Sequence, residues 1–162
     1  MISSIELIVD ATAQIAAGIQ GVALPNGTTA GVRSTFGAGQ GVYADPLHPG
    51  QMIAPAPENP LEPFTHFSNL PDAPTIARVT QDGVVELAWT LPMQFFVPRG
   101  DLRTVRQTLL PFFDAYLAVF LPQWTLGGLC LASWISSVKV ESDADWAWLA
   151  MDLHVEELLN YG

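Results

Sequence analysis

The chain has 162 residues, of which 49% are hydrophobic and 14% charged. That is enough for one domain with a real core, and it excludes a wholly disordered chain. Sixteen acidic against six basic side chains give a formal net charge of −10, a poor balance for gripping a phosphate backbone. So little charge, with five Trp and eight Phe, points to a surface partly covered by sister subunits. The one cysteine, Cys130, excludes an internal disulfide framework and a CxxC metal site.

The N-terminal residues Met1 to Glu6 lack the basic region and cleavage site of a secretory signal. Ser3-x-x-Glu6 has the form of a capping box, and Ile5, Ile8, Ile15 and Ile19 form a helical stripe that Gly18 and Gly21 terminate. The pattern predicts a helix over about 4–18. Residues 22–74 then hold nine of the 13 prolines and six of the 13 glycines. Connections are usually about 4–6 residues long, so this segment reads as a long Pro/Gly-rich arm inserted in a single domain spanning 1–162. Phe36, Tyr43, Phe64 and Phe67 require part of it to pack on something. Its lack of apolar periodicity predicts that the sheet and long helix fold without about residues 24–70.

Residues 75–80 read as a strand and Gln81-Asp82-Gly83 as a hairpin turn. The next strand puts Val85, Leu87, Trp89, Leu91, Met93 and Phe95 on one face, and Pro92 predicts an edge, a bulge or an early end. Asp101 caps a helix with apolar Leu102, Val105, Leu109, Phe112, Phe113, Tyr116, Leu117 and Phe120. Pro111 inside it predicts a kink or break. In 131–141, alternation puts Ala132, Trp134, Ser136, Val138 and Val140 on one face; in 145–156, Ala147, Leu149, Met151, Leu153 and Val155 share an apolar face. The element order predicts an α+β fold: an antiparallel four-stranded sheet packed by the long helix and the N-terminal helix. The uncharged stretch 115–138 has the length of a membrane span. Pro122, Gly127, Gly128 and its serines break it, so it reads as core helix, turn and core strand.

Catalytic chemistry is sparse. His48, His66 and His154 have no metal-ligand spacing, although Asp152, His154 and Glu156 share one strand face. Cys130 lies between two leucines in an acidic chain, the setting of an inert thiol. The glycine run 37–41 imitates a phosphate loop but lacks the strand, helix and GK[ST] that such a loop needs. Asp143 and Asp145 occupy a turn where Asp serves the backbone. No catalytic, cofactor-binding or metal-binding constellation emerges.

The C-terminal half carries Phe112-Phe113-Asp114-Ala115-Tyr116-Leu117, then Trp124-Thr125-Leu126-Gly127-Gly128, a strand with Val138 and Val140, and a closing strand ending Leu153-His154-Val155-Glu156. Over about residues 84–157 this resembles the tail terminator (tail completion, minor tail) proteins of long-tailed bacteriophages. Thr125, Leu126, Gly127 and Gly128 form the specific part of the match. The resemblance implies a homo-oligomeric ring, typically a hexamer, at the head-proximal end of a virion tail. There it would stop polymerisation of the major tail tube protein and dock a neck or head-completion protein. It implies no enzyme activity and no cofactor; the expectation of no membrane rests on the broken stretch 115–138. The arm is longer than the family pattern. Charge runs from +1 over 75–109 to −6 over 110–162. An acidic lumen would let DNA pass without binding it, and Glu141, Asp143 and Asp145 are the candidate lumen charges. Phe64, Phe67, Trp146 and Trp148 are the candidate inter-subunit contacts. The alternatives are another neck component (a head-closure or connector protein) and a small monomeric module binding through its Pro-rich arm.

Overall fold

The computed structural model describes residues 3–37, 42–44, 52–55 and 62–162. His48 and the glycine run beyond Gly37 lie outside them. Helix α1 spans Ile5–Ala17 and buries Ile8, Val9, Thr12, Ala13 and Ala16. The anticipated Ser3/Glu6 capping box does not close: the N-cap falls at Ser4, whose side chain makes no cap, and Ser3 Oγ accepts from the Ile5 N–H at 3.2 Å rather than from Glu6. Instead the carboxylate of Glu157 accepts from the Ser4 N–H at 2.9 Å and the Ser3 hydroxyl at 2.7 Å. An anion at a helix N-terminus meets its orphan N–H groups and positive dipole end, so a remote strand supplies what the local box does not.

The chain then forms a small hairpin, β1 (Val22–Ala23) with β2 (Thr29–Ala30), turning at Gly27 with φ 83°. Next come β3 (Ser34–Phe36), the antiparallel pair β4 (Val42–Ala44) and β5 (Met52–Pro55), and β6 (Thr65–Ser68). The C-terminal half contributes β7 (Thr75–Val79), β8 (Val84–Pro98), α2 (Leu102–Phe120), a 3-10 turn at Leu121–Gln123, β9 (Ala132–Ser142) and β10 (Trp146–Asn160). The fold is mixed α+β. The four anticipated strands pair antiparallel in the order β7-β8-β10-β9, but among the described residues the sheet has six strands and is not purely antiparallel. β6 joins β8, and β3 adds to β6 in parallel. The arm therefore does not stand apart from the sheet. Short, partly polar strands such as Thr65-His66-Phe67-Ser68 carry no apolar alternation by which to find them.

β6 and β7 lie end to end along the same edge of β8, facing Met93–Phe96 and Val85–Ala88 respectively. Pro92 sits at the junction, and its carbonyl accepts the Asn69 N–H at 2.9 Å on that edge. Its missing N–H points the same way, into the gap between the two strands, so β8 runs through Pro92 without losing a bond to β10. Likewise α2 runs unbroken through Pro111, which costs one backbone bond in a helix held by packing. Its N-cap is Asp101, accepting from the Thr104 N–H at 3.0 Å and hydroxyl at 2.8 Å; these bonds lower its pKa. The register of β9 shifts opposite Asp152/Leu153, leaving Ser136 as the extra residue. The bulge flips the alternation. Ala132 and Trp134 face away from the helices, whereas Val138 and Val140 pair with Met151 and Leu149 on the helix side; the five even residues do not share a face. The stretch 115–138 divides among α2, the 3-10 turn, a glycine corner and β9. Among the described residues no helix is long and apolar enough to cross a membrane.

The core lies between the helices and the odd face of β8. Phe95 stacks on Phe112 with ring centroids 4.3 Å apart, and Phe64 and Tyr116 flank them. Inside this apolar layer runs a hydrogen-bonded chain. His66 Nδ1 lies 2.6 Å from the Tyr116 hydroxyl and Nε2 lies 2.7 Å from Ser68 Oγ. Thr12 Oγ1 is 2.7 Å from both Ser68 Oγ and the Val9 carbonyl. Each hydroxyl has one proton, and one arrangement leaves none unpaired. Tyr116 donates to Nδ1, Nε2–H donates to Ser68, Ser68 donates to Thr12, and Thr12 donates to Val9. His66 is therefore the neutral Nε2–H tautomer, and complete burial lowers its pKa to about 3. Burial pushes the Tyr116 phenol well above its usual range.

The unfolded chain takes a proton on this histidine below about pH 6.5 and the folded chain does not. Stability is thus lost progressively as pH falls from about 6.5 towards 3, by about 2 kcal/mol between pH 7 and 5. Urea unfolding at the two pH values is expected to show this loss in the native sequence. His66→Gln should be less stable at pH 7 and should lack that part of the pH dependence. An unchanged pH dependence in the variant would contradict a neutral buried His66.

Candidate functional site

The Thr125–Gly128 segment forms the corner between α2 and β9. Leu126, Gly127 and Gly128 have φ of 51°, 73° and 87°, three left-handed residues in succession. Only the glycines adopt this without strain. Leu126 accepts it because its side chain is 2% exposed and anchored in the core. The Leu126 N–H donates to Gln123 at 2.8 Å, and the Thr125 carbonyl accepts from Gly128 at 3.1 Å and Cys130 at 3.2 Å. The corner thereby turns the chain off the helix end and aims it into β9.

At the opposite end of β9, the acidic hairpin residues Asp143 and Asp145 are exposed, and Glu141 is half-buried. They are not equivalent. Asp143 Oδ1 accepts the N–H groups of Asp145 at 2.9 Å and Trp146 at 2.8 Å, so this carboxylate builds the turn. The Asp143 carbonyl accepts from the Arg99 guanidinium at 2.7 Å, which sets a cation beside the hairpin. Glu141 contacts Lys139 at 3.4 Å and accepts from Trp148 Nε1 at 3.2 Å.

The four aromatic candidates divide differently. An aromatic row crosses β3, β6, β8 and β10 on the face away from the helices. Phe36 stacks on Phe67 at 4.9 Å, Phe67 meets Phe96 edge-on at 5.5 Å, and Phe96 meets Trp148 at 5.1 Å. Phe67 is fully buried within its own chain, so it offers no surface to a neighbour. Phe64 packs against Phe95 and Phe112 at the edge of the core and, like Trp146 and Trp148, keeps part of its surface. Burial of a strand inside the arm removed one of the four, Phe67. Large exposed apolar side chains also lie elsewhere, among them Ile76 and Val79 on β7, Leu110 on α2, Leu121 after it, and Val138 and Val140 on β9. For Leu110 the sequence signal was its departure from the buried stripe of α2, formed by Val105, Leu109, Phe112, Tyr116 and Phe120.

Asp152, His154 and Glu156 share a face without converging on one point. Asp152 is held by Ser137 at 2.9 Å, while His154 turns to Glu156 at 3.2 Å and packs its ring on Trp134 at 4.3 Å. Among the described residues no three such side chains could hold a metal ion. Cys130 lines a cleft of about 430 Å³ with Ser4, Gly128 and Glu157. Partial burial, together with the neighbouring Glu157 and Glu156 charges, raises its thiol to about 11 against a weaker opposing bond with Ser133. A thiol so protonated is a poor nucleophile. No family model and no curated protein matches the chain.

Among the described residues, chain neighbours aside, neither corner glycine has an atom within 4 Å of where a Cβ would stand, so a substitution meets backbone strain and no clash. Gly127→Ala and Gly128→Ala are each expected to cost about 1–2 kcal/mol in chemical denaturation. Leu126→Ala, which removes a buried anchor, is expected to cost about 2–5 kcal/mol. Glycine variants of native stability would contradict a corner held in the left-handed region.

Proposed function

We propose that the chain is a structural virion protein that forms a ring at the head-proximal end of a phage tail. There it ends polymerisation of the tail tube and offers a docking surface to the neck. The observation that carries this reading is the Thr125–Gly128 corner, placed between a long capped helix and a closing β-hairpin as the resemblance to tail terminators implies. Composition adds support. Few charges and exposed apolar side chains on α2 and β9 suit a subunit that is covered by two neighbours. In this reading no step is catalytic, and the ring acts by shape: it is complementary to the tube end on one side and to the neck on the other.

DNA would pass through the ring, so its wall must not hold phosphate. The exposed carboxylates of the β9–β10 hairpin supply repulsion if they face the channel. Because Asp143 also builds the turn, its charge is best removed by Asp143→Asn, which keeps the Oδ1 acceptor. Combined with Glu141→Lys and Asp145→Lys, this converts the hairpin from acidic to basic. Particles carrying the triple variant are expected to assemble and to release DNA slowly, with the defect easing as salt screens the new contacts. Normal release at low salt would place the hairpin outside the channel.

The docking claim is tested by mixing the purified protein with purified tail tubes and, separately, with portal–adaptor complexes. Sedimentation with the tubes is expected. Binding to portal–adaptor complexes alone would instead identify a head-closure or connector protein.

A further inference from the structure

β9 closes one side of the sheet, and among the described residues it pairs with β10 alone. Its backbone groups can be assigned a direction. The Asp143 N–H donates to the Trp146 carbonyl at 2.9 Å, in the same register that pairs Ser142 with Ala147. In an antiparallel ladder this direction alternates, so Ser137, Lys139 and Glu141 turn their N–H and C=O groups to β10. Val138, Val140 and Ser142 turn theirs outward, to the open edge. Lys139 and Glu141 project from the face away from the helices; Val138 and Val140, 38% and 40% exposed, project on the helix side beyond the cover of α2.

We infer that this edge pairs with the same edge of a second copy of the chain, antiparallel about a two-fold axis at Val140. The straight run is bounded by the bulge at Ser136 and the turn at Asp143, which leaves few centres. An axis at Lys139 sets two lysines directly opposite each other, about 4.5 Å apart, and like charges there destabilise. An axis at Val138 sets Val140 against the bulge. The axis at Val140 satisfies every group. Val140 meets Val140, and Val138 meets Ser142 of the other copy, each through outward N–H and C=O groups that exchange six hydrogen bonds in all. Lys139 meets Glu141 of the other copy twice, at the close non-hydrogen-bonded positions. A lysine on a strand edge ordinarily blocks pairing; here the same strand carries the complementary carboxylate two residues on. The valines of both copies then form one apolar strip between the two α2 helices.

A two-fold pair cannot repeat round a polar ring, so this dimer is a state of the free protein. It does not rest on the tail reading. The test is sedimentation velocity over a concentration series, with circular dichroism as the check on folding. The native chain is expected to dimerise. Val140→Pro removes an outward N–H that β10 does not use, so it should leave the fold intact and the protein monomeric. Lys139→Glu should also give monomer, and Lys139→Glu combined with Glu141→Lys should restore the dimer. In a Cys130→Ser background, Val140→Cys should cross-link to itself on oxidation, since an antiparallel bonded pair sets Cα atoms about 5.5 Å apart, within disulfide reach. A native chain that stays monomeric throughout, or a dimer indifferent to Val140→Pro, would overturn the inference and leave binding to tail tubes unaffected.

Discussion

The structure depends on one buried histidine. His66 belongs to a short strand of the arm, yet its ring bonds Tyr116 of α2 on one side and Ser68, and through it Thr12 of α1, on the other. Three elements distant in sequence are held by this chain of contacts inside an apolar layer, where a polar group without a partner is costly. Wrong docking of β6 would orphan several polar atoms at once. The network therefore selects one arrangement of helices and sheet, beyond what non-directional burial of Phe95, Phe112 and Phe64 could specify. Thr65 Oγ1, buried beside it and without a hydrogen-bond partner among the described residues, is the cost at the start of the same strand.

Glu157 plays a comparable part at the other end of α1. It is 3% exposed, and besides Ser3 and Ser4 its carboxylate accepts the indole N–H of Trp89 at 2.7 Å. Helix α1, β8 and β10 thus meet at one carboxylate. Its position was readable: alternation puts residue 157 on the apolar face of Leu153, Val155 and Leu159, and a charged side chain in that register needs a partner. The helix it caps advertised a local capping box instead. Both motifs provide an acceptor for the same orphan N–H groups, and tertiary contact won.

The long, strongly periodic elements were legible in the sequence. α2, β8 and β10 bury continuous apolar faces, and Asp101 caps α2 as its position suggests. Three features were not legible. β3 and β6 are too short and too polar to show a period. Pro92 looked like an interruption because the junction of β6 and β7 that accommodates it exists only in the folded sheet. The bulge at Ser136 is invisible in the alternation itself, yet it decides that Val138 and Val140 face the helix side while Trp134 faces away. The candidate surfaces inherit these gaps. The acids of the β9–β10 hairpin are where sequence placed them, whereas Phe67 went inside with its strand.

A ring of such subunits would join a fold stabilised by internal polar ties to edges and faces left apolar for neighbours. The most direct measurement is electron microscopy of assembled tails carrying this chain with a small label at its C-terminus. A ring of label density confined to the head-proximal end, one copy per subunit of the last tube layer, is the result this account predicts. Label along the whole tube, on the distal tip, or absent from finished tails would contradict it.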